Sequence, residues 1–325
     1  MIQSIQNRRI APTEPAYIVA EIGSNWHTLE HCLHAITISK ACGADAVKFQ
    51  LYTGKELYGY DVKIPGEMPF EWIEKLKIKA DAVGIHFLCS AFSPEGIIKL
   101  DSYVPAHKIA SSENSHIGML AVANDTKKPI LLSCGSTNDV ELKSTLRYFE
   151  HVKPILMYCS VAYPSFETDP RVVEKMTELY PENIIGFSDH SLDYLTIPRA
   201  AFDLGACVIE KHLNTEYLSD TPDASHSLKP DQFKRMVSVI RGTDVPTFGH
   251  KAEEQEAVLT HRRRLKALRD IQPGETLAHG ENFGIYRMQE RCLYAFGPHQ
   301  LPLVAGKTAK HKINALDGIG PGDIV

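Results

Sequence analysis

Asn183-Ile-Ile-Gly-Phe-Ser-Asp-His-Ser191 and Ala206-Cys-Val-Ile-Glu-Lys-His212 are the two stretches on which the fold turns. The first opens with a short apolar run, Asn183 to Phe187, rich in β-branched and aromatic residues, as a buried strand should be. It stops in Ser188-Asp189-His190-Ser191, which has nothing apolar to bury. A helical stretch from Leu192 to Leu204 ends at Gly205, a usual helix C-terminus. The second apolar run, Ala206 to Ile209, then ends in Glu210-Lys211-His212. Two successive strands separated by one helix thus each deliver a histidine at the carboxyl end. In parallel β/α architecture those ends lie on one face, where active sites are built. Neutral imidazole is the commonest ligand for divalent transition metals, so the pair makes a candidate half of a metal site. Either histidine alone would read as an ordinary surface or core residue.

Working outward, the same rhythm recurs. Strand-like runs begin at Tyr17, Ala46, Ile85, His107, Pro129 and Ile155, with helical patterns between them, and Pro230 to Ile240 supplies an eighth helix. Eight strand–helix pairs in about 240 residues match an α/β fold of the (β/α)8 TIM-barrel type. A doubly wound sheet is the competitor, but no GxGxxG follows the first strand. Residues 1–16 read as a lead-in hairpin. The pattern changes after Gly242, which divides the chain into a barrel domain at 1–242, a polar linker at 243–259 and a small β-rich domain at 260–325. The basic run Arg262-Arg263-Arg264 there has the default reading of a solvated face.

A barrel predicts that strand-end residues converge at one mouth. These are Glu21, Lys48, Gln50, Ser90, Ser111, Glu113, Ser133, Ser160, Ser188, His190, Glu210 and His212. A lysine with several hydroxyls suits a phosphate or carboxylate ligand. The alternative is that Lys48 pairs with Glu21 or Glu210 as scaffold.

Composition narrows the rest. With 43% hydrophobic and 23% charged residues the chain is an ordinary globular protein. A formal net charge of −5 offers no basic field, so no nucleic-acid partner is expected. No apolar run approaches the length of a membrane span, so no membrane association is expected. The N-terminus lacks a signal-peptide core, and seven scattered cysteines without a CxxC pair suit reduced thiols; together these predict a cytoplasmic protein. Cys89, Cys134 and Cys159 read as packing residues rather than nucleophiles.

Several motifs, taken together and in order, resemble the sialic acid synthase (N-acetylneuraminate synthase) family. They are Ala20-Glu-Ile-Gly-Ser-Asn25, Gly43-Ala-Asp-Ala-Val-Lys-Phe-Gln50, Phe87-Leu-Cys-Ser-Ala-Phe-Ser93, Lys108-Ile-Ala-Ser-Ser-Glu113, Pro129-Ile-Leu-Leu-Ser-Cys-Gly135, Gly186-Phe-Ser-Asp-His190 and Glu210-Lys-His212. The tail resembles that family's antifreeze-like (SAF) domain. The resemblance implies condensation of phosphoenolpyruvate with an N-acetylated amino-sugar aldehyde, N-acetylmannosamine or a 6-deoxy diacetamido hexose, to give a nonulosonic 2-keto acid and phosphate. It implies that His190 and His212 hold a divalent metal, Mn2+ first and Mg2+ or Co2+ as alternatives. Lys48, Ser90, Ser133 and Ser188 match positions that bind phosphoenolpyruvate. Gln50 and Asp223 match positions facing the sugar, as does Glu21, which is also a catalytic candidate beside Lys48. Glu113 is a candidate for handling water or its proton. A homodimer is implied in which Arg287 of the tail reaches the partner's mouth. Against the family pattern, Trp26 and His27 follow Asn25, Val161 replaces an asparagine, and Arg287-Met288-Gln289 replaces the usual tail motif. The acceptor side is therefore where this chain differs. The same condensation on a different aldehyde acceptor, a keto-acid aldolase or lyase on the same barrel, and a sugar-binding protein without turnover remain the competing readings.

Overall fold

The computed structural model describes residues 2–242, 261–288 and 294–325. Two compact units divide at Val245 and Pro246; the expected linker at 243–259 lies outside the described residues.

The first unit opens with an antiparallel hairpin, β1 (Gln3–Ile5) and β2 (Arg8–Ile10). Eight parallel strands follow: β3 (Tyr17–Gly23), β4 (Ala46–Leu51), β5 (His86–Ala91), β6 (His107–Ile109), β7 (Ile130–Ser133), β8 (Ile155–Cys159), β9 (Ile185–Asp189) and β10 (Val208–His212). They form a closed barrel in sequence order, with β10 pairing back onto β3. This is the (β/α)8 barrel that the strand–helix rhythm predicts. The principal intervening helices are α1 (Leu29–Ala41), α2 (Gly54–Tyr58), α3 (Ile73–Val83), α4 (Pro94–Leu100), α5 (Ile117–Asp125), α6 (Asp139–Leu146), α7 (Arg171–Leu179) and α8 (Thr196–Asp203), with α9 (Pro230–Ile240) after β10. No described helix is long and apolar enough to cross a membrane.

Local chemistry sets the boundaries. The Thr28 side chain accepts the His31 amide and starts α1, and Thr53 with Glu56 forms a capping box on α2. The helix expected from Leu192 begins instead at Thr196. Asp193 is the cause: its Oδ1 accepts the amides of Leu195, Thr196 and Ile197 at 2.8, 2.7 and 3.2 Å, so the chain before it cannot be helical.

Two apolar layers result. One lies between the strands and the helices, joining Ile18, Val47, Phe87, Leu132 and Phe187 to Ile36, Leu76, Leu120 and Phe233. The other fills the barrel's lower interior, where Ile5 and Ile10 of the hairpin pack with Tyr17, Ala46, Leu88, Leu131, Ile155 and Val208. The hairpin therefore closes the floor, and the barrel is a packed core, not a pore.

The second unit carries β11 (Arg263–Ala267) paired antiparallel with β12 (Phe283–Arg287), and a short helix α10 (Leu301–Val304). It has its own core of Leu265, Ile271, Leu277, Phe283, Val304 and Ile319.

Candidate active site

At the carboxyl ends of the barrel strands lies a cavity of about 380 Å3. Its lining includes Glu21, Lys48, Gln50, Ser90, Ser133, Ser188, His190, His212 and Asp223, so the structure gathers nearly the whole expected set. Ser111 lines it too, but Glu113 and Ser160 do not. The chain turns there through a single 3-10 turn, Ser111–Glu113, which presents Ser111 and Ser112 to the cavity and leaves Glu113 outside that lining. Arg287 belongs to the second unit, at the exposed end of β12.

Alternation along each strand explains why so many polar residues converge. A single register connects His212 to Glu21 and Glu21 to Lys48 across three neighbouring strands. The strands run further than the apolar runs suggest, because polar residues at their ends find partners inside the barrel. Lys48 Nζ lies 2.7 Å from Glu21 Oε2 and 3.6 Å from Glu210 Oε1, and donates to Ser90 Oγ at 3.1 Å. Lys108 Nζ donates to Ser133 Oγ at 2.8 Å and lies 3.6 Å from the same Glu210 oxygen. Ser188 Oγ donates to Glu210 Oε1 at 3.0 Å, and Gln50 Nε2 to Glu21 Oε1 at 2.8 Å. Lys48, Lys108, Glu21 and Glu210 are all at most 4% exposed. Lys108 and Glu210 thus stand at the centre of the charge network. Lys108 was visible only within its motif, since a strand of three residues leaves no periodicity to place it.

Electrostatics distinguish the two carboxylates. Burial pulls Glu210 upward, but Lys108 and Lys48 flank it and the Ser188 hydroxyl donates to it, so it ends below its usual range. Burial lifts Glu21 to about 7, against the pull of Lys48. Burial thus makes Glu21 the more readily protonated of the two carboxylates. A raised folded-state pKa means that Glu21 stabilises the fold below about pH 4.5, where both states are protonated, and that this contribution is lost as pH rises through 7. The Tm of the wild type relative to Glu21→Gln should accordingly fall between pH 4.5 and 7; a difference flat across that range would exclude the shift.

The thiols behave as packing groups. Burial raises Cys89 and Cys159, and pushes Cys134 up to about 12, so none is a thiolate nucleophile near neutral pH.

The imidazoles form the second half of the cavity. The ring centroids of His190 and His212 are 5.4 Å apart. His190 Nδ1 donates to the Ser160 carbonyl at 2.6 Å, which leaves Nε2 as its free nitrogen. Burial depresses His190 to about 4 and His212 well below its usual range, so both are neutral and able to ligate a cation. A third imidazole, His226, stands 4.5 Å from His212 between ring centroids. It sits on the one-turn element Ala224–His226, in a loop and not at a strand end, which is why strand-based reasoning missed it. The available signal was the spacing Asp223-x-x-His226. Asp223 Oδ2 accepts the Ser24 amide at 2.7 Å. Gly23, at φ +54°, has no room for a side chain, since a Cβ would fall 2.1 Å from that carboxylate oxygen.

The mouth of the closed barrel thus brings together two buried lysines, several hydroxyls and two neutral imidazoles. The NeuB family model matches residues 35–250, and the chain belongs to that family. It is 30% identical to pseudaminic acid synthase of Campylobacter jejuni over 94% of this chain and 96% of that one. It is 32% identical to spore coat polysaccharide biosynthesis protein SpsE of Bacillus subtilis over 74% and 70%. The structure of N-acetylneuraminic acid (sialic acid) synthetase from Leptospira borgpetersenii in complex with citrate superposes with a TM-score of 0.70 at 26% identity, covering 79% of this chain and 95% of that one.

Proposed function

We propose that the protein is a metal-dependent synthase that condenses phosphoenolpyruvate and water with an N-acetylated amino-sugar aldehyde, releasing phosphate and a nonulosonic 2-keto acid. The observation that carries this reading is the Lys48–Lys108 pair, buried among Ser90, Ser133 and Ser188, in one cavity with a neutral imidazole cluster. Two buried ammonium groups beside hydroxyl donors suit a small ligand bearing a phosphate and a carboxylate.

C3 of phosphoenolpyruvate bonds to the aldehyde carbon, water adds at C2, and the C2–O bond to phosphate breaks, so no covalent enzyme intermediate is required. Lys48 and Lys108 neutralise the anion throughout. Gln50 and Asp223 orient the acceptor, and Glu21 carries a proton on its carboxylate near neutral pH. His190 and His212 would hold the divalent cation, Mn2+ or one of its relatives Mg2+ and Co2+, which supplies Lewis-acid polarisation of the aldehyde oxygen.

The likeness to pseudaminic acid synthase along nearly the full length of both chains favours a 6-deoxy diacetamido hexose over N-acetylmannosamine as acceptor. The tail is read as the antifreeze-like domain of a homodimer in which Arg287 acts at the partner's mouth, and light scattering at micromolar protein tests the dimer. Phosphate release from phosphoenolpyruvate, with Mn2+, across a panel of N-acetylated hexoses with and without chelator, tests the reaction. Release that needs one sugar and is lost with chelator is the expected result. Aldehyde release from a keto acid without phosphate chemistry would make it a lyase; silence with phosphoenolpyruvate still bound would point to a different aldehyde, and silence without that binding to a protein that does not turn over.

A further inference from the structure

His226 is 2% exposed, yet neither of its ring nitrogens has a hydrogen-bond partner, and His212 Nδ1 has none either. Such groups are costly inside a protein unless something absent from the polypeptide satisfies them. The arrangement around them is specific. Asp223 Oδ1 lies 3.5 Å from His226 Nε2, and Asp223 Oδ2 lies 3.9 Å from His212 Nδ1. One ligand atom from each of His212, Asp223 and His226 falls within 4.8 Å of the others. The loop that carries two of them is tied down. Ser227 Oγ donates to the Asp223 carbonyl at 2.6 Å, Asn25 Nδ2 donates to Ser227 Oγ at 2.7 Å, and Thr221 Oγ1 donates to Asn25 Oδ1 at 2.9 Å. The Ser24 amide fixes the carboxylate itself. Ligands held by partners of this kind are pre-arranged for binding.

We propose that His226 is a further protein ligand for the divalent cation, joining with Asp223 the strand-end pair His190 and His212. The inference rests on the metal-dependent reading of this same cavity and extends it to a residue outside the barrel strands. Three imidazoles with a carboxylate are a donor set for Mn2+, Co2+ or Zn2+ more than for Mg2+, which favours oxygen ligands. The protein should therefore take up a transition metal before any sugar or phosphoenolpyruvate is present.

Mn2+ alone is the probe, titrated by electron paramagnetic resonance into the full-length protein without substrate. The wild type is expected to bind one Mn2+, with Mg2+ a poor competitor. His226→Phe should bind Mn2+ at least about 10- to 100-fold more weakly, by analogy with losses that follow even removal of a ligand's supporting partner. Its Tm without metal should be at or above that of the wild type, because an apolar ring replaces an unpartnered one; should it fail to fold, His226→Gln gives the same reading. Wild-type affinity in either variant would overturn the proposal, as would a wild type that does not bind Mn2+. The two readings fail separately. Loss of Mn2+ binding in His226→Phe, with neither phosphate release from any sugar nor phosphoenolpyruvate binding in the wild type, leaves the cation site standing and removes the synthase. Chelator-sensitive phosphate release with unchanged Mn2+ affinity in His226→Phe keeps the synthase and removes His226 as a ligand.

Discussion

Lys48→Met is expected to lower kcat/KM for phosphoenolpyruvate by about 10³-fold or more, while the protein stays folded. Removing one preorganised donor from a buried anion site commonly costs about 10²- to 10³-fold, and Lys48 supplies a full charge as well. The fold survives for a reason visible in the network. Glu210 keeps Lys108 at 3.6 Å and the Ser188 hydroxyl at 3.0 Å. Glu21, already lifted to about 7, loses the cation that held it down and stays protonated, so no bare charge remains. Steady-state phosphate release at varied phosphoenolpyruvate is the measurement. A Lys48→Met enzyme within tenfold of the wild type would rule out Lys48 as an anion ligand and return it to a scaffold role.

Lys211→Met should act in the opposite way, on stability first. Lys211 and Asp189 have fully buried side chains with Nζ 2.6 Å from Oδ2, and the same ammonium donates to the carbonyls of Ser191 and Asp193 at 2.5 and 3.0 Å. Breaking one side of such a pair costs about 3–5 kcal/mol because the partner charge is left without compensation. For a unit of this size that corresponds to a fall in Tm of about 6–20 °C. Thermal unfolding checks it, and Asp189→Asn combined with Lys211→Met should recover part of the loss. The pair also bolts β9 to β10, whose ends carry His190 and His212. A Lys211→Met protein that melts like the wild type would show that the pair contributes nothing.

The barrel was legible because its strands are apolar and its helices are capped by ordinary residues. Tyr17, Ala46, Ile155 and Val208 all sit where the period of the sequence places them. The site was legible as a ring of strand-end residues, and Lys48, Ser90, Ser133, Ser188 and the two histidines do share one cavity. What the chain did not disclose has a common cause. Lys108 matters through Ser133 and Glu210 on other strands, and pairing of that kind leaves no local pattern. His226 comes from a loop that owes its shape to Asn25 and Ser227, some two hundred residues apart. Glu113 was the converse case: its motif position was plain, but the backbone turn that carries it aims the two preceding serines at the cavity instead.

The closed floor has a consequence for traffic. With Ile5 and Ile10 packed into the lower interior, the barrel among the described residues is a vessel closed at its base and open at the mouth. Reactants and products must use the same opening, so each turnover is a queue in which departure precedes arrival. The packed floor closes the route through the barrel, so a handover of product belongs at the rim.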